Sequence, residues 1–266
     1  MTDLKSEIEA LLERLQAIER GIQNVRDKQN NTMRDKIYAS WHTTIHFATT
    51  GLQNTLSLFT VRDAAEKALL GLASSLQQYR CHPLPPIGTY GGVSVSVSDS
   101  RILAMDAYLA VCWALYDRLS NIIGSGMANK KIRSKLVETF LDNDILGIKD
   151  ILVSLCGEEI CFSYFLRNCY MHEGGMIDNT PILGGSTWTD AFEITDSVAA
   201  KLNQEIGRRH KISDVTIAEQ GDIIPQLQGC HARIDEMFIY LLHFMEGTLL
   251  VKIGVFAEID GFRIEE

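Results

Sequence analysis

The clearest pattern of apolar positions lies at the start of the chain, where Leu4, Ile8, Leu11, Leu15, Ile18, Ile22 and Val25 follow alternating spacings of four and three. This is a heptad seam on one helix. With Ile8, Leu15 and Ile22 at position a and Leu4, Leu11, Ile18 and Val25 at position d, it has the Ile-at-a arrangement of parallel two-stranded coiled coils. The same stripe also suits an amphipathic helix lying on its own domain, and periodicity alone does not choose between the two. A second helix is predicted over 33–59, where Ile37, Trp41, Ile45, Ala48, Leu52, Leu56 and Phe59 share a face. A third is predicted over 63–79 from the stripe Ala65, Leu69, Leu72, Leu76 and Tyr79.

Cys81-His82-Pro83-Leu84-Pro85-Pro86 then stops helix formation, because proline lacks an amide donor and restricts the residue before it. After Gly91-Gly92, the alternation Val93-Ser94-Val95-Ser96-Val97-Ser98 reads as one half-buried strand. A helix over 101–123, capped by Asp99 or Ser100, is expected to end at Gly124-Ser125-Gly126. Shorter helices follow over 131–141, 147–155 and 158–171, the last stopped by Gly174-Gly175. Beyond a polar loop reaching residue 189, helices are expected over 190–209 and 228–250. Asp260-Gly261, set between alternating residues from Phe256 to Ile264, signals a C-terminal hairpin. The resulting expectation is an all-α chain with minor β structure. It divides into an N-terminal helical or dimerisation region (1–80), a linker with a short strand (81–99), a helical domain (100–250) and a C-terminal tail or hairpin (251–266).

Composition narrows the function classes. With 266 residues, 46% of them hydrophobic, the chain can bury a sufficient core without disulfide or metal staples. The formal net charge of -9 argues against coating nucleic acid through bulk charge, since that binding comes from Lys and Arg neutralising phosphates. The six cysteines form no C-x-x-C pair and mostly sit in apolar runs, the pattern of buried reduced thiols. The charged segment Met1-Thr2-Asp3-Leu4-Lys5 lacks the apolar core of a signal peptide. The most apolar late stretch, 237–256, carries His243, Glu246 and Lys252, which an isolated membrane span tolerates poorly. A soluble cytoplasmic protein without a membrane partner is expected.

The spacings of a P-loop, a nucleophile elbow, an H-E-x-x-H zinc site and a dinucleotide-binding loop are all absent from the sequence. His42 and His46 stand at i, i+4, a spacing that can place two metal ligands on one helix face, but the sequence supplies no neighbouring acidic or Cys ligand. The structural reading of the pair is therefore favoured, and no metal site is assigned. Lys130, Lys131, Arg133 and Lys135 form one basic cluster, and Arg208, Arg209, His210 and Lys211 another. They read as solvated helix faces or ends and also as the only candidate phosphate-binding patches on an acidic chain.

The informative segment is Phe165-Leu166-Arg167-Asn168-Cys169-Tyr170-Met171-His172-Glu173-Gly174-Gly175. Arg167, Asn168 and His172 interrupt an otherwise apolar helix, and each must find a partner or face a cleft. At 100° per residue Asn168 and His172 share a face, while Arg167 lies about 140° from His172. Arg167 and His172 converge only if the helix end is distorted or a second subunit contributes.

This segment resembles the R-x4-6-H motif of the HEPN superfamily, in the variant where a polar residue follows the Arg. The resemblance covers roughly residues 100–250 and implies an all-α HEPN-like bundle. It implies a metal-independent endoribonuclease, without cofactor, whose composite active site joins the motifs of two subunits of a homodimer. Mapped onto this chain, Arg167 would hold the scissile phosphate, and His172 would act as general base or acid on the ribose 2′-hydroxyl and the leaving 5′-oxygen. Asn168 would orient His172 or donate to a phosphate oxygen. The implied contexts are toxin-antitoxin pairs and anti-phage defence, with an antitoxin or another defence protein as partner. Members silenced by adenylylation look like R-x4-H-x-Y; here Gly174 stands at the last position, which sets that regulatory mode in doubt. The alternative is a non-catalytic HEPN-like dimer, serving as a scaffold or a nucleotide- or protein-binding subunit.

Overall fold

A computed structural model describes residues 3–28, 32–78, 88–90, 93–95, 97–128, 148–172, 193–194, 196–210 and 214–259. Among these residues the fold is all-α: helices α1 (Leu4–Lys28), α2 (Thr32–Gln78), α3 (Val97–Ala128), α4 (Lys149–His172), α5 (Asp196–His210) and α6 (Ile223–Ile259). Two short antiparallel pairs accompany them. Strand β1 (Gly88–Tyr90) lies beside β2 (Val93–Val95), with Gly88 opposite Val95, and β3 (Glu193–Ile194) lies beside β4 (Gly221–Asp222). Gly221 has φ 126°, a backbone conformation that only glycine adopts without strain.

The contacts gather into two compact units built from segments far apart in sequence. One comprises Met1–Phe59, Leu115–Leu155 and Asp235–Glu266; the other comprises Thr60–Ala114 and Cys156–Ile234. In the first unit, α1 is capped by Asp3, whose Oδ1 accepts the Ser6 amide at 2.9 Å. Bonding to Ser6 holds the Asp3 carboxyl below its ordinary range. The heptad residues Leu4, Ile8, Leu11, Leu15 and Ile22 are buried at 0–4% exposure. They are covered by the chain itself: Arg14 makes a two-point ion pair with Glu246 of α6 (Nε to Oε1 2.6 Å, Nη2 to Oε2 2.9 Å), and Glu19 meets His46 of α2 at 2.7 Å. The seam therefore lies on its own unit and is not free to form the intersubunit coiled coil.

Several element boundaries differ from the sequence expectation, each for a physical reason. The helices expected over 33–59 and 63–79 are one, α2, because Thr60-Val61-Arg62 contains neither Gly nor Pro to stop it. Those expected over 147–155 and 158–171 are joined as α4, with a kink at Cys156 (φ -158°, ψ 29°) beside Gly157. Gly124-Ser125-Gly126 does not end α3; all three residues are buried, and a Cβ built on Gly126 would stand 2.6 Å from Met245 Sδ. That glycine lets α6 approach. The strand expected over 93–98 is shortened to Val93–Val95 because α3 already begins at Val97, ahead of residues suited to a helix's first turn. Helix α5 starts at Asp196, later than expected, because Glu193–Ile194 pairs with β4. Helix α6 starts at Ile223, where Asp222 Oδ1 accepts the Ile224 amide at 2.9 Å, and Pro225 falls in the first turn, where an amide is spared. It continues to Ile259, so the first arm of the expected hairpin at Phe256 is helical; residues 260–266 lie outside the described residues. The helix expected over 131–141 lies outside them too.

Candidate functional site

The candidate motif occupies the last two turns of α4, in the second unit. Ile160, Phe162, Phe165 and Leu166 are buried and fix the orientation of this helix, while Arg167 and Asn168 are half-buried on its flank. The Arg167 Nε is closed to solvent and has no hydrogen-bond partner among the described residues. The backbone stays helical through His172, so the distorted helix end that would bring Arg167 and His172 together within one chain is not observed. Asn168 and His172 are one turn apart on one face, and the side chain of His172 lies outside the described ones. On an ideal helix Arg167 then projects about 140° away from His172.

The supporting basic clusters are placed only in part. Lys130, Lys131, Arg133 and Lys135 lie outside the described residues, as does the Arg209 side chain. Arg208 is exposed and donates through Nη2 to Glu205 Oε2 at 2.7 Å, a solvent-screened ion pair.

Beside the motif, the second unit holds a chain of buried polar groups that sequence reasoning did not single out. Trp113 of α3 donates from Nε1 to Ser163 Oγ of α4 at 3.0 Å. Ser163 Oγ lies 2.8 Å from His231 Nε2 on α6, and His231 Nδ1 lies 2.9 Å from the Tyr108 hydroxyl on α3. Burial, and then the positive Arg62, lowers the His231 pKa to about 3. Burial, reinforced by Cys112 and Glu66, pushes the Tyr108 phenol well above its ordinary range. A neutral imidazole offers one N–H and one lone pair, which satisfies both neighbours. Ser163 and His231 stand at nucleophile–base distance, but they are 0% and 1% exposed, so no substrate carbonyl or phosphate reaches them. Their role is to clasp α3, α4 and α6 together and so to hold the motif helix in place.

The thiols fit the reduced, buried reading: Cys112, Cys156, Cys161 and Cys230 are buried and carry no disulfide. Burial first, and the Glu159 carboxylate second, pushes Cys156 and Cys230 up to about 12, far from the range of a nucleophilic thiolate.

In the first unit the structure adds a carboxylate to the histidine pair. Glu19 Oε1 lies 2.7 Å from His46 Nδ1 and 3.8 Å from His42 Nε2, and the two rings stack in parallel at 6.1 Å. No group of three His, Cys, Asp or Glu side chains among the described residues has the geometry to hold a metal ion. No helix among them is long and apolar enough to cross a membrane.

The sequence offered a signal for some of what it missed. Asp106, in Ala104-Met105-Asp106-Ala107-Tyr108, is a lone charge on an apolar helix, and its Oδ1 is buried without a partner among the described residues. Comparison of the chain with models of protein families, with curated proteins and with solved structures finds no match.

Proposed function

We propose that this chain is a metal-independent endoribonuclease of HEPN type, working as a homodimer in which Arg167 and His172 are the reacting pair and Asn168 assists. The observation that carries the reading is Arg167 itself. A permanently charged guanidinium is held half-buried near the end of an apolar helix, with its Nε unpartnered among the described residues. A buried guanidinium N–H without a bond costs free energy until an acceptor meets it, and the planar guanidinium fork matches the oxygens of a phosphodiester.

In this reading His172 takes the proton of a ribose 2′-hydroxyl, whose oxygen attacks the adjacent phosphorus. The bond to the 5′-oxygen breaks, and that oxygen receives a proton from the histidine of the composite site. Arg167 stabilises the charge that develops on the non-bridging oxygens. The products are a 2′,3′-cyclic phosphate and a 5′-hydroxyl, and DNA, lacking the 2′-hydroxyl, is not cut. The 140° between Arg167 and His172 on one helix supports a site completed by a second copy, although α1 is not the element that brings it. A toxin or anti-phage role, an antitoxin or defence partner, and any help from Lys130, Lys131, Arg133, Arg208 and Arg209 belong to the same proposal.

The test is RNA cleavage in EDTA by the wild type and by single variants. Arg167→Ala and His172→Ala should each lose roughly 10²-fold or more in rate. Undiminished cleavage by either variant refutes the assignment. A second reading, a non-catalytic dimeric module, is favoured by the apolar row Tyr240, Phe244 and Val251 on α6, exposed at 50%, 44% and 67%. It predicts self-association without RNA turnover.

A further inference from the structure

Tyr164 stands on α4 one turn before the motif, and no step of the proposed reaction uses it. On an ideal helix it projects about 60° from Arg167 on one side and about 40° from Asn168 on the other, and it lies about 4.5 to 6 Å before them along the axis. Its chain neighbours Ser163 and Phe165 are buried, while Tyr164, like Arg167 and Asn168, is half-buried. The ring and the two motif residues therefore share one partly open face of α4.

The ring is braced from the interior of the second unit. Trp113 of α3, 2% exposed, meets it edge to face, with ring centroids 5.1 Å apart and planes at 61°. Trp113 is itself fixed by its Nε1 bond to Ser163 Oγ, which lies against His231, so the chain of buried polar groups ends beside the Tyr164 ring. All of these residues belong to one compact unit. An edge-to-face pair leaves at least one face of the tyrosine turned away from the indole. A ring held in this way loses little freedom when something stacks on it, and unpaired RNA bases stack on aromatic side chains. With a net charge of -9, a contact of this kind matters to RNA affinity, because stacking draws on no phosphate neutralisation.

We infer that Tyr164 is the base-stacking plate of the site: a base next to the scissile phosphate lies on its outward face while Arg167 holds the phosphate. This assigns the substrate class as single-stranded RNA, because a base paired and stacked inside a duplex cannot present its face to a side chain. The position of the phosphate rests on the ribonuclease reading, whereas the contact between base and ring is detectable whether or not the strand is cut.

The experiment has two arms. In the first, the wild-type chain in EDTA is irradiated with an unpaired RNA carrying 5-iodouridine, a base that cross-links to an aromatic side chain stacked on it, and the linked residue is located by mass spectrometry. A link at Tyr164 is expected; links confined to other residues, or no link, overturn the inference. In the second, cleavage of an unpaired RNA is followed with the wild type, Tyr164→Phe and Tyr164→Leu, and with an abasic ribose on either side of the mapped cut. Tyr164→Phe keeps the ring and should stay within about two-fold of wild type. Tyr164→Leu, which fills the space beside Trp113 without a ring, should raise KM about 10-fold and leave kcat within about three-fold. One of the two abasic substrates should cost the wild type a similar factor and cost Tyr164→Leu less than about two-fold, since the plate is already gone. An unchanged KM in Tyr164→Leu, or an abasic penalty as large in that variant as in the wild type, overturns the inference. Should Tyr164→Leu fail to fold by circular dichroism, the first arm, which needs no variant, decides. A link at Tyr164 without any RNA cleavage refutes the ribonuclease reading and leaves the stacking contact standing; cleavage without that link does the reverse.

Discussion

His231 shows how one buried side chain sets a property of the folded state. Its pKa is about 3 in the folded chain, against an ordinary value near 6.5 when the chain is unfolded. The unfolded chain therefore binds this proton more readily between those values, and stability must fall as pH drops through that window. Above pH 6.5 the ring is neutral in both states and the contribution is complete. At pH 5 the loss from this group alone is about 2 kcal/mol, from the 1.5 units below the unfolded value. Urea unfolding of the wild type at pH 7 and pH 5 should show that loss, and the pH dependence should flatten in His231→Gln. An identical slope in the variant would show that other groups set it. Nothing in the local sequence marks His231 for this role, because its partners Ser163 and Tyr108 are 68 and 123 residues away along the chain. Arg167 and Asn168 were legible for the opposite reason: they are polar intrusions in an apolar helix, visible without knowing what lies across from them. The second orphan, Asp106, carried the same local mark and went unread.

Along the elements, glycine was the residue type most easily misread. In sequence Gly124-Ser125-Gly126 is a stop signal, yet the helix runs through it because Gly126 gives room to Met245. Gly51 plays the same part toward Ile122, where an added Cβ would stand 2.8 Å from Cγ1. Gly51→Ala should destabilise by roughly 1 kcal/mol, overpacking outweighing the helix-propensity gain. Gly21→Ala, at an exposed position with nothing within 4 Å, should stabilise by about 0.5 to 1 kcal/mol. Thermal unfolding of both variants checks the opposite signs. The two helix breaks expected near 59–63 and 155–158 also have a physical origin. They fall where α2 and α4 pass from one compact unit to the other, at Phe59/Thr60 and Leu155/Cys156, and α4 is kinked at Cys156. For α1 the periodicity was right, while the surface it packs on could not be read from the chain alone. Leu15→Ala should cost about 2 to 5 kcal/mol of stability with no dependence on protein concentration. A midpoint that rises with concentration in the wild type and not in the variant would return the seam to an intersubunit role.

At the scale of the whole molecule, the proposed ribonuclease would have to hold RNA against a net charge of -9. Among the basic-cluster residues with a described side chain, Arg208 is bonded to Glu205. Affinity should then rest on a few phosphate contacts near Arg167, one from each copy. The slope of log K against log salt should be shallow, about -1 to -2, since each single-strand phosphate contact contributes about -0.7. A slope several times steeper would locate binding on a basic surface elsewhere.

The most direct measurement is the end-group chemistry of RNA incubated with the purified protein in excess EDTA, beside the same sequence in DNA. The account predicts RNA fragments ending in 2′,3′-cyclic phosphate and beginning with 5′-hydroxyl, intact DNA, and no fragments from Arg167→Ala or His172→Ala. Intact RNA, fragments bearing 5′-phosphates, or fragments that persist in either variant would contradict it.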